Sequence, residues 1–168
     1  MDIISLMEER VSTRSFSKED LPQEDLLKIL KAADLAPTGR NRKPLYFLIL
    51  SDEKKMEKLF SLVPGARAKF YQAKAIFFSV AKREDHLGEL DCGAAIENAL
   101  LAATFLGIGS CWIHSAREDF GTEEGKKACE EVLGISKEEE VMEMIALGYP
   151  ASGHFEKKVR SENGSRIL

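Results

Sequence analysis

The stretch from Asp91 to Ile113, DCGAAIENALLAATFLGIGSCWI, constrains the fold more than any other part of the chain. Between Cys92 and Leu106 only Glu97, Asn98 and Thr104 are plainly polar, so the segment lacks the broad solvated face that a surface helix keeps. The pattern predicts a core helix buried on most sides. Glycines 107 and 109 are expected to stop it, because glycine adopts left-handed or extended geometry without a Cβ penalty. Ser110 to Ile113 then reads as a short strand. A membrane span would need ~20 predominantly apolar residues without such interruption. Ala95, Ala99 and Ala102 give the helix a small-residue face that a symmetry mate could cover.

The flanking sequence supplies elements to enclose that helix. Ile3, Ile4, Leu6 and Met7 predict a short opening helix to about Arg10, with a bend near Ser12. Pro22 and the acids Glu24 and Asp25 predict a helix start, continued at helical spacing by Leu26, Leu27, Leu30, Ala33 and Leu35 and ended by Pro37. LYFLIL (45–50) and AIFFSV (75–80) are apolar runs suited to strands buried on both faces. Between them Asp52 should cap a helix closed by Pro64 and Gly65. A helix from Thr122 to Leu133, stopped by Gly134, precedes a last strand from Val141 to Leu147. Four strands separated by helices predict a mixed sheet covered on both faces.

Composition limits the function. With 168 residues, 44% hydrophobic and 31% charged, the chain suits one domain with a self-sufficient core, residues 151–168 forming a tail. A formal charge of -4 leaves no electrostatic footprint for nucleic acid. The opening MDIISLMEER has acids and no apolar h-region, so no signal peptide or membrane anchor is expected and a cytoplasmic location is predicted. Cys92, Cys111 and Cys129 form no metal or redox spacing and read as reduced, buried thiols. His86, His114 and His154 have no partner at a metal or catalytic spacing, so no metal site is expected.

Three stretches could carry chemistry. In R-V-S-T-R (10–14), an extended backbone would project Arg10, Ser12 and Arg14 to one side, as a phosphate clamp or as a solvated basic face. The loop from Ala36 to Pro44 offers Thr38, Asn41 and Lys43 as donors, or is only a helix-to-strand connection. In G-I-G-S-C-W-I (107–113) the glycines follow a helix and precede a strand, the reverse of a dinucleotide fingerprint. Trp112 there is either an aromatic pocket wall or core. Asp91 and Glu97 read as a helix cap and a helix-packing hydrogen bond. No self-sufficient catalytic machinery is visible, which favours chemistry supplied by a cofactor, or none.

Taken in order, R-x-S-x-R-x-F (Arg10 to Phe16), A-P-T-G-x-N (Ala36 to Asn41), G-A-A-x-E-N followed by L-G-I-G-S-C-W-I (Gly93 to Ile113) and A-L-G-Y-P (Ala146 to Pro150) resemble the nitroreductase family of FMN-dependent oxidoreductases. The resemblance spans almost the whole chain. It implies an α+β fold with a mixed, mostly antiparallel central sheet flanked by helices, and a homodimer with FMN at the subunit interface. It places Arg10, Ser12 and Arg14, with the main chain of Val11, at the flavin phosphate and ribityl chain. Pro37, Thr38 and Asn41 would reach the flavin from the other subunit, and Trp112, Ile113 and His114 would lie beside its ring. Arg160 would complete the phosphate site. The chain departs from the family pattern where N-x-Q-P-W becomes Asn41-Arg42-Lys43-Pro44-Leu45, which puts a positive charge in place of an amide, and the chain is short, implying an open pocket.

The activity so implied is a ping-pong transfer of hydride from NAD(P)H through flavin N5 to an electron-poor small molecule such as a nitroaromatic or quinone, with no side chain required as acid or base. The alternative is an FMN-binding module without appreciable NAD(P)H turnover: a sensor, a carrier, or a flavoprotein served by another reductant. A plain helical interaction domain is the third reading.

Overall fold

A computed structural model of the protein describes residues 2–67, 71–83 and 88–155. Four strands, β1 (Leu45–Leu50), β2 (Ala75–Lys82), β3 (Gly109–Ile113) and β4 (Glu139–Gly148), form one sheet in the order β1-β2-β4-β3, each neighbouring pair antiparallel. The two apolar runs thus become neighbours in the sheet, and β2 is buried from Ala75 to Ala81. Ala75, Phe77 and Ala81 face one core, whereas Ile76, Phe78 and Val80 face another on the opposite side.

The first core is closed by α2 (Gln23–Asp34) and α5 (Gly88–Phe105), with Leu26, Ile29, Ala95, Ile96, Ala99 and Ala103 packed onto the sheet. The second is closed by α3 (Glu53–Leu62), α4 (Pro64–Arg67), α6 (Ala116–Phe120) and α7 (Glu123–Ala128). Asp52 caps α3 by accepting from Lys55 N–H at 2.8 Å, as its position predicts. Pro64 does not simply close that helix. It opens α4, since proline tolerates a first helical position where its missing N–H is not needed. The helix from Thr122, which that residue caps, passes from α7 into a π-turn at Cys129–Leu133 and is ended, as expected, by Gly134, here left-handed.

The central helix differs from the sequence reading in two ways. It begins at Gly88, so Asp91 lies in its first turn and is not its cap. Ala95 and Ala99 pack inside the protomer against α2 and the sheet. Leu90, 83% exposed, and Phe105, 67% exposed, lie outside instead, with Glu97 and the half-buried Ala94 and Leu101 between them. The opening helix α1 (Ile3–Glu9) packs against α5, buries none of its own residues and adds exposed Ile3, Ile4 and Met7. Asn98 uses its side-chain N–H to satisfy Ala32 C=O near the end of α2 at 3.1 Å, which accounts for one of the polar residues of α5.

After α1 the chain extends across the ends of β3 and β4. Ser12 bridges Ser110 in parallel and Phe16 bridges Pro150 in antiparallel fashion. Thr13 N–H donates to Ser110 C=O at 2.8 Å and Ser17 N–H to Tyr149 C=O at 2.8 Å. Gly109 and Gly148 face one another beneath this crossing. A Cβ on Gly109 would sit 2.8 Å from Thr13 Cγ2, and one on Gly148 2.8 Å from Phe16 Cδ1. Gly107, at φ +73°, is therefore the turn glycine, whereas Gly109 is a strand glycine required by close approach.

Candidate functional site

The crossing segment brings the first predicted stretch against the third. Because Ser110 C=O points off the sheet to Thr13, the main-chain groups of Trp112 point to the same outer edge of β3, as alternate residues of a strand do. Arg10 is half-buried and oriented by Glu97 of α5, with Nε 3.7 Å from Oε1. Glu97 thus serves an ion pair and not the expected helix-packing hydrogen bond. Arg14 is exposed, with Nη1 donating to Ser12 C=O at 3.4 Å.

Burial separates side-chain from main-chain roles. Val11 is buried, in keeping with a main-chain role. Ile113 turns its side chain into the α3–α7 core, so that side chain takes no part at the β3 edge. Trp112 is 38% exposed and His114 86% exposed, both on the α5 side of the sheet. Ser110 Oγ, beside Ser12, is buried and has no hydrogen-bond partner among the described residues.

The loop from Ala36 to Pro44 lies elsewhere. Gly39 N–H donates to Asp91 Oδ1 at 2.9 Å, which tethers the loop to the first turn of α5. Thr38 Oγ1 accepts from Lys43 N–H at 3.1 Å, so this hydroxyl is used to shape the loop. Arg40, Asn41 and Lys43 all have positive φ, near +50°, a conformation that costs energy for residues with a Cβ and clusters at functional sites. Pro37 and Asn41 are exposed. Lys43 helps to line a small cavity, about 80 Å³, together with Thr38 and Asp91, whose Oδ2 has no hydrogen-bond partner among the described residues. This cavity and the pocket beside Trp112 are lined by different residues of the first half of α5, Asp91 and Ala95 against Glu89, Cys92 and Gly93. Neither lining set joins Pro37, Thr38 or Asn41 to Trp112 or His114. Arg160 and His86 lie outside the described residues, and among those described no group of three or more metal-ligating side chains occurs.

Sequence reasoning missed Glu143 and Ser79. Each is the lone polar residue of its predicted apolar run (75–80 and 141–147), a signal that was available, and the register pairs them. A bulge between Ser79 and Val80 shifts the β4 register, so that Glu143 faces α5 alongside Ser79. Ser79 Oγ accepts from Glu143 N–H at 3.0 Å and lies 3.2 Å from Glu143 C=O and 3.0 Å from Cys92 Sγ. Glu143 Oε2 accepts from Trp112 Nε1–H at 2.8 Å, and Oε1 lies 2.9 Å from His114 Nδ1. Burial pushes the Glu143 carboxyl above the usual carboxylate range, opposed by its bonds to Trp112 and His114. With Glu89, Cys92, Gly93, Arg117, Glu118 and Met142, these three residues line a pocket of about 350 Å³.

This fold and this pairing of segments define a known class. The sequence model of the nitroreductase family matches residues 7–66 and 61–149, and the chain belongs to that family. An Archaeoglobus fulgidus protein with the provisional name NADH dehydrogenase/NAD(P)H nitroreductase is 36% identical over 155 residues, covering 89% of this chain and 86% of its own. A Bacteroides fragilis nitroreductase solved with bound FMN superimposes with a TM-score of 0.88 at 28% identity, covering 100% of this chain and 98% of its own. The FMN-dependent nitroreductase of Clostridium difficile R20291 gives a TM-score of 0.77 at 26% identity, covering 96% of this chain and 92% of its own.

Proposed function

We propose that this chain is a single-domain, cytoplasmic, FMN-dependent oxidoreductase that passes hydride from NAD(P)H to an electron-poor acceptor such as a nitroaromatic or quinone. The observation that carries the reading is the bridge from Ser12 to Ser110, which sets the R-x-S-x-R segment beside the outer edge of β3. That donor set fits FMN. Arginine forks and a serine hydroxyl suit a phosphate, and outward N–H groups of an edge strand suit the polar rim of the ring.

Arg10, Ser12 and Arg14 would hold the phosphate and ribityl chain, joined by Arg160. The main chain of Trp112, Ile113 and His114 would hold the ring edge, where negative charge develops on reduction. When bound, the cofactor supplies the hydride chemistry, and the protein supplies orientation and electrostatics. The loop carrying Pro37, Thr38 and Asn41 would serve the partner subunit's flavin, in keeping with the separate places of this loop and Trp112. Exposed Leu90, Phe105, Ile3, Ile4 and Met7 on adjoining helices are the apolar surface on which we place the homodimer interface.

Arg10→Ala and Arg14→Ala test the phosphate assignment. Loss of a charge-assisted partner should cost on the order of 1.5–3 kcal/mol, roughly tenfold or more in FMN affinity. Unchanged affinity in both variants would overturn it, and a monomer that retains flavin at micromolar concentration would overturn the dimer.

A further inference from the structure

The Glu143 cluster has a geometry that phosphate and ring binding do not require. Its carboxylate is nearly enclosed, with the side chain 13% exposed, and each oxygen engages a different aromatic ring. Trp112 and His114 are held edge to face, centroids 5.7 Å apart at 88°. With Nδ1 engaged by Glu143, the exposed imidazole keeps Nε2 for whatever enters the pocket.

Other ionisable groups line the same pocket or adjoin it. From α5 come Glu89 and Cys92, from α6 Arg117 and Glu118, and from β4 Glu140. Arg117 is paired with both Glu89 and Glu140. Burial holds the Cys92 thiol up at about 11, so it stays neutral near pH 7. A carboxylate that fixes one nitrogen of an exposed imidazole at a pocket wall is an arrangement general acid catalysis uses.

We propose that His114 is the proton donor to the electron acceptor, and that Glu143 is the residue that positions it. This rests on the flavoenzyme reading, which sets the hydride donor beside the same strand. A quinone would take a hydride from the reduced flavin and a proton from His114 Nε2. As the N–H bond breaks an O–H bond forms, and the acceptor leaves as hydroquinone. NAD(P)H would replenish the hydride that bound FMN supplies, and His114 would regain its proton from solvent.

The test uses FMN-loaded protein, reduced anaerobically and mixed rapidly with benzoquinone over a range of pH, in wild type, His114→Gln and Glu143→Gln. Ferricyanide, which takes an electron and no proton, is the control. Wild-type quinone reduction should slow as pH rises. In His114→Gln it should be flat with pH and, relative to ferricyanide reduction by the same variant, on the order of a hundredfold slower. Glu143→Gln should slow quinone reduction less and alter its pH profile. In flavin-free protein the fluorescence of Trp112, the one tryptophan in the chain, should change as Glu143 titrates, and this change should vanish in Glu143→Gln. A wild-type quinone rate and pH profile in His114→Gln overturns the proposal, as does an equal loss with ferricyanide. Protein that takes up no FMN overturns the flavoenzyme reading along with it, whereas protein that binds FMN and reduces ferricyanide but ignores His114→Gln overturns this proposal alone.

Discussion

Gly148→Ala probes the crossing that joins the R-x-S-x-R segment to the sheet. The added methyl would lie 2.8 Å from Phe16 Cδ1 and 3.0 Å from both Phe16 Cβ and Cγ. Ring rotation cannot relieve the contact with Cβ, which moves only with the backbone. Overpacking of this kind costs about 1–3 kcal/mol. The lower entropy of an unfolded alanine chain returns about 0.4–1 kcal/mol, leaving a net loss of about 1–2 kcal/mol. For a chain of this size that corresponds to roughly 2–8 °C in melting temperature. Thermal unfolding of flavin-free protein would measure it, with Gly65→Ala, where among the described residues no atom beyond its chain neighbours and own helix backbone lies within 4 Å, as the control. Combining Gly148→Ala with Phe16→Ala should recover part of the loss, because the two residues are in contact. FMN affinity should fall in the single variant, since Arg14 lies two residues before Phe16. A Gly148→Ala protein as stable as wild type, or strict additivity in the pair, would refute the close-approach account.

The remaining predictions concern the buried polar groups. Ser79→Ala removes the acceptor for Glu143 N–H at the bulge and should cost about 1–3 kcal/mol by denaturant titration. The Glu143 carboxyl is raised in the folded state, so its contribution to stability is greatest below about pH 4.5 and is lost as pH rises toward the folded value. Subtracting the pH–stability curve of Glu143→Gln from that of wild type should expose this falling slope. Cys92 and Cys129, raised by burial to about 11 and about 12, are roughly 0.1% and 0.01% thiolate at pH 8. Native protein should therefore react far more slowly at these cysteines with a thiol reagent than unfolded protein does.

Much of the fold was legible because strong local signals agreed with the tertiary outcome. The apolar runs of β1 and β2, the caps Asp52 and Thr122, and the turn at Gly134 all lie where propensity and burial point the same way. The face that α5 turns to its own sheet was not legible. A helix apolar on all sides carries no periodic contrast, so its alanines could not be assigned to the sheet or to a partner. Whether Pro64 ends one helix or begins the next depends on how Val63 and Ala66 pack, which periodicity does not encode.

The candidate site was legible in part. Arg10, Ser12, Trp112 and His114 could be named from order along the chain, but the bridge from Ser12 to Ser110 is a long-range contact that spacing cannot supply. The side chain of Ile113 alternates into the opposite core, which strand parity alone could have shown. Glu143 was missed because strict alternation from Val141 puts it on the same face as Val141, and the bulge reverses that. The Glu143–His114 pair lies only one register step beyond the Ile113–Met144 pairing, yet nothing in either segment by itself points to the other.

The central claim is that these segments hold a flavin that NAD(P)H can reduce. Anaerobic titration of FMN-loaded protein with NADH and with NADPH, followed by the visible flavin spectrum, tests it most directly. The account predicts a yellow protein that bleaches stoichiometrically with at least one of the two and regains its colour when a quinone is added. A preparation that takes up no FMN, or one whose bound flavin keeps its colour with both nucleotides, would contradict it.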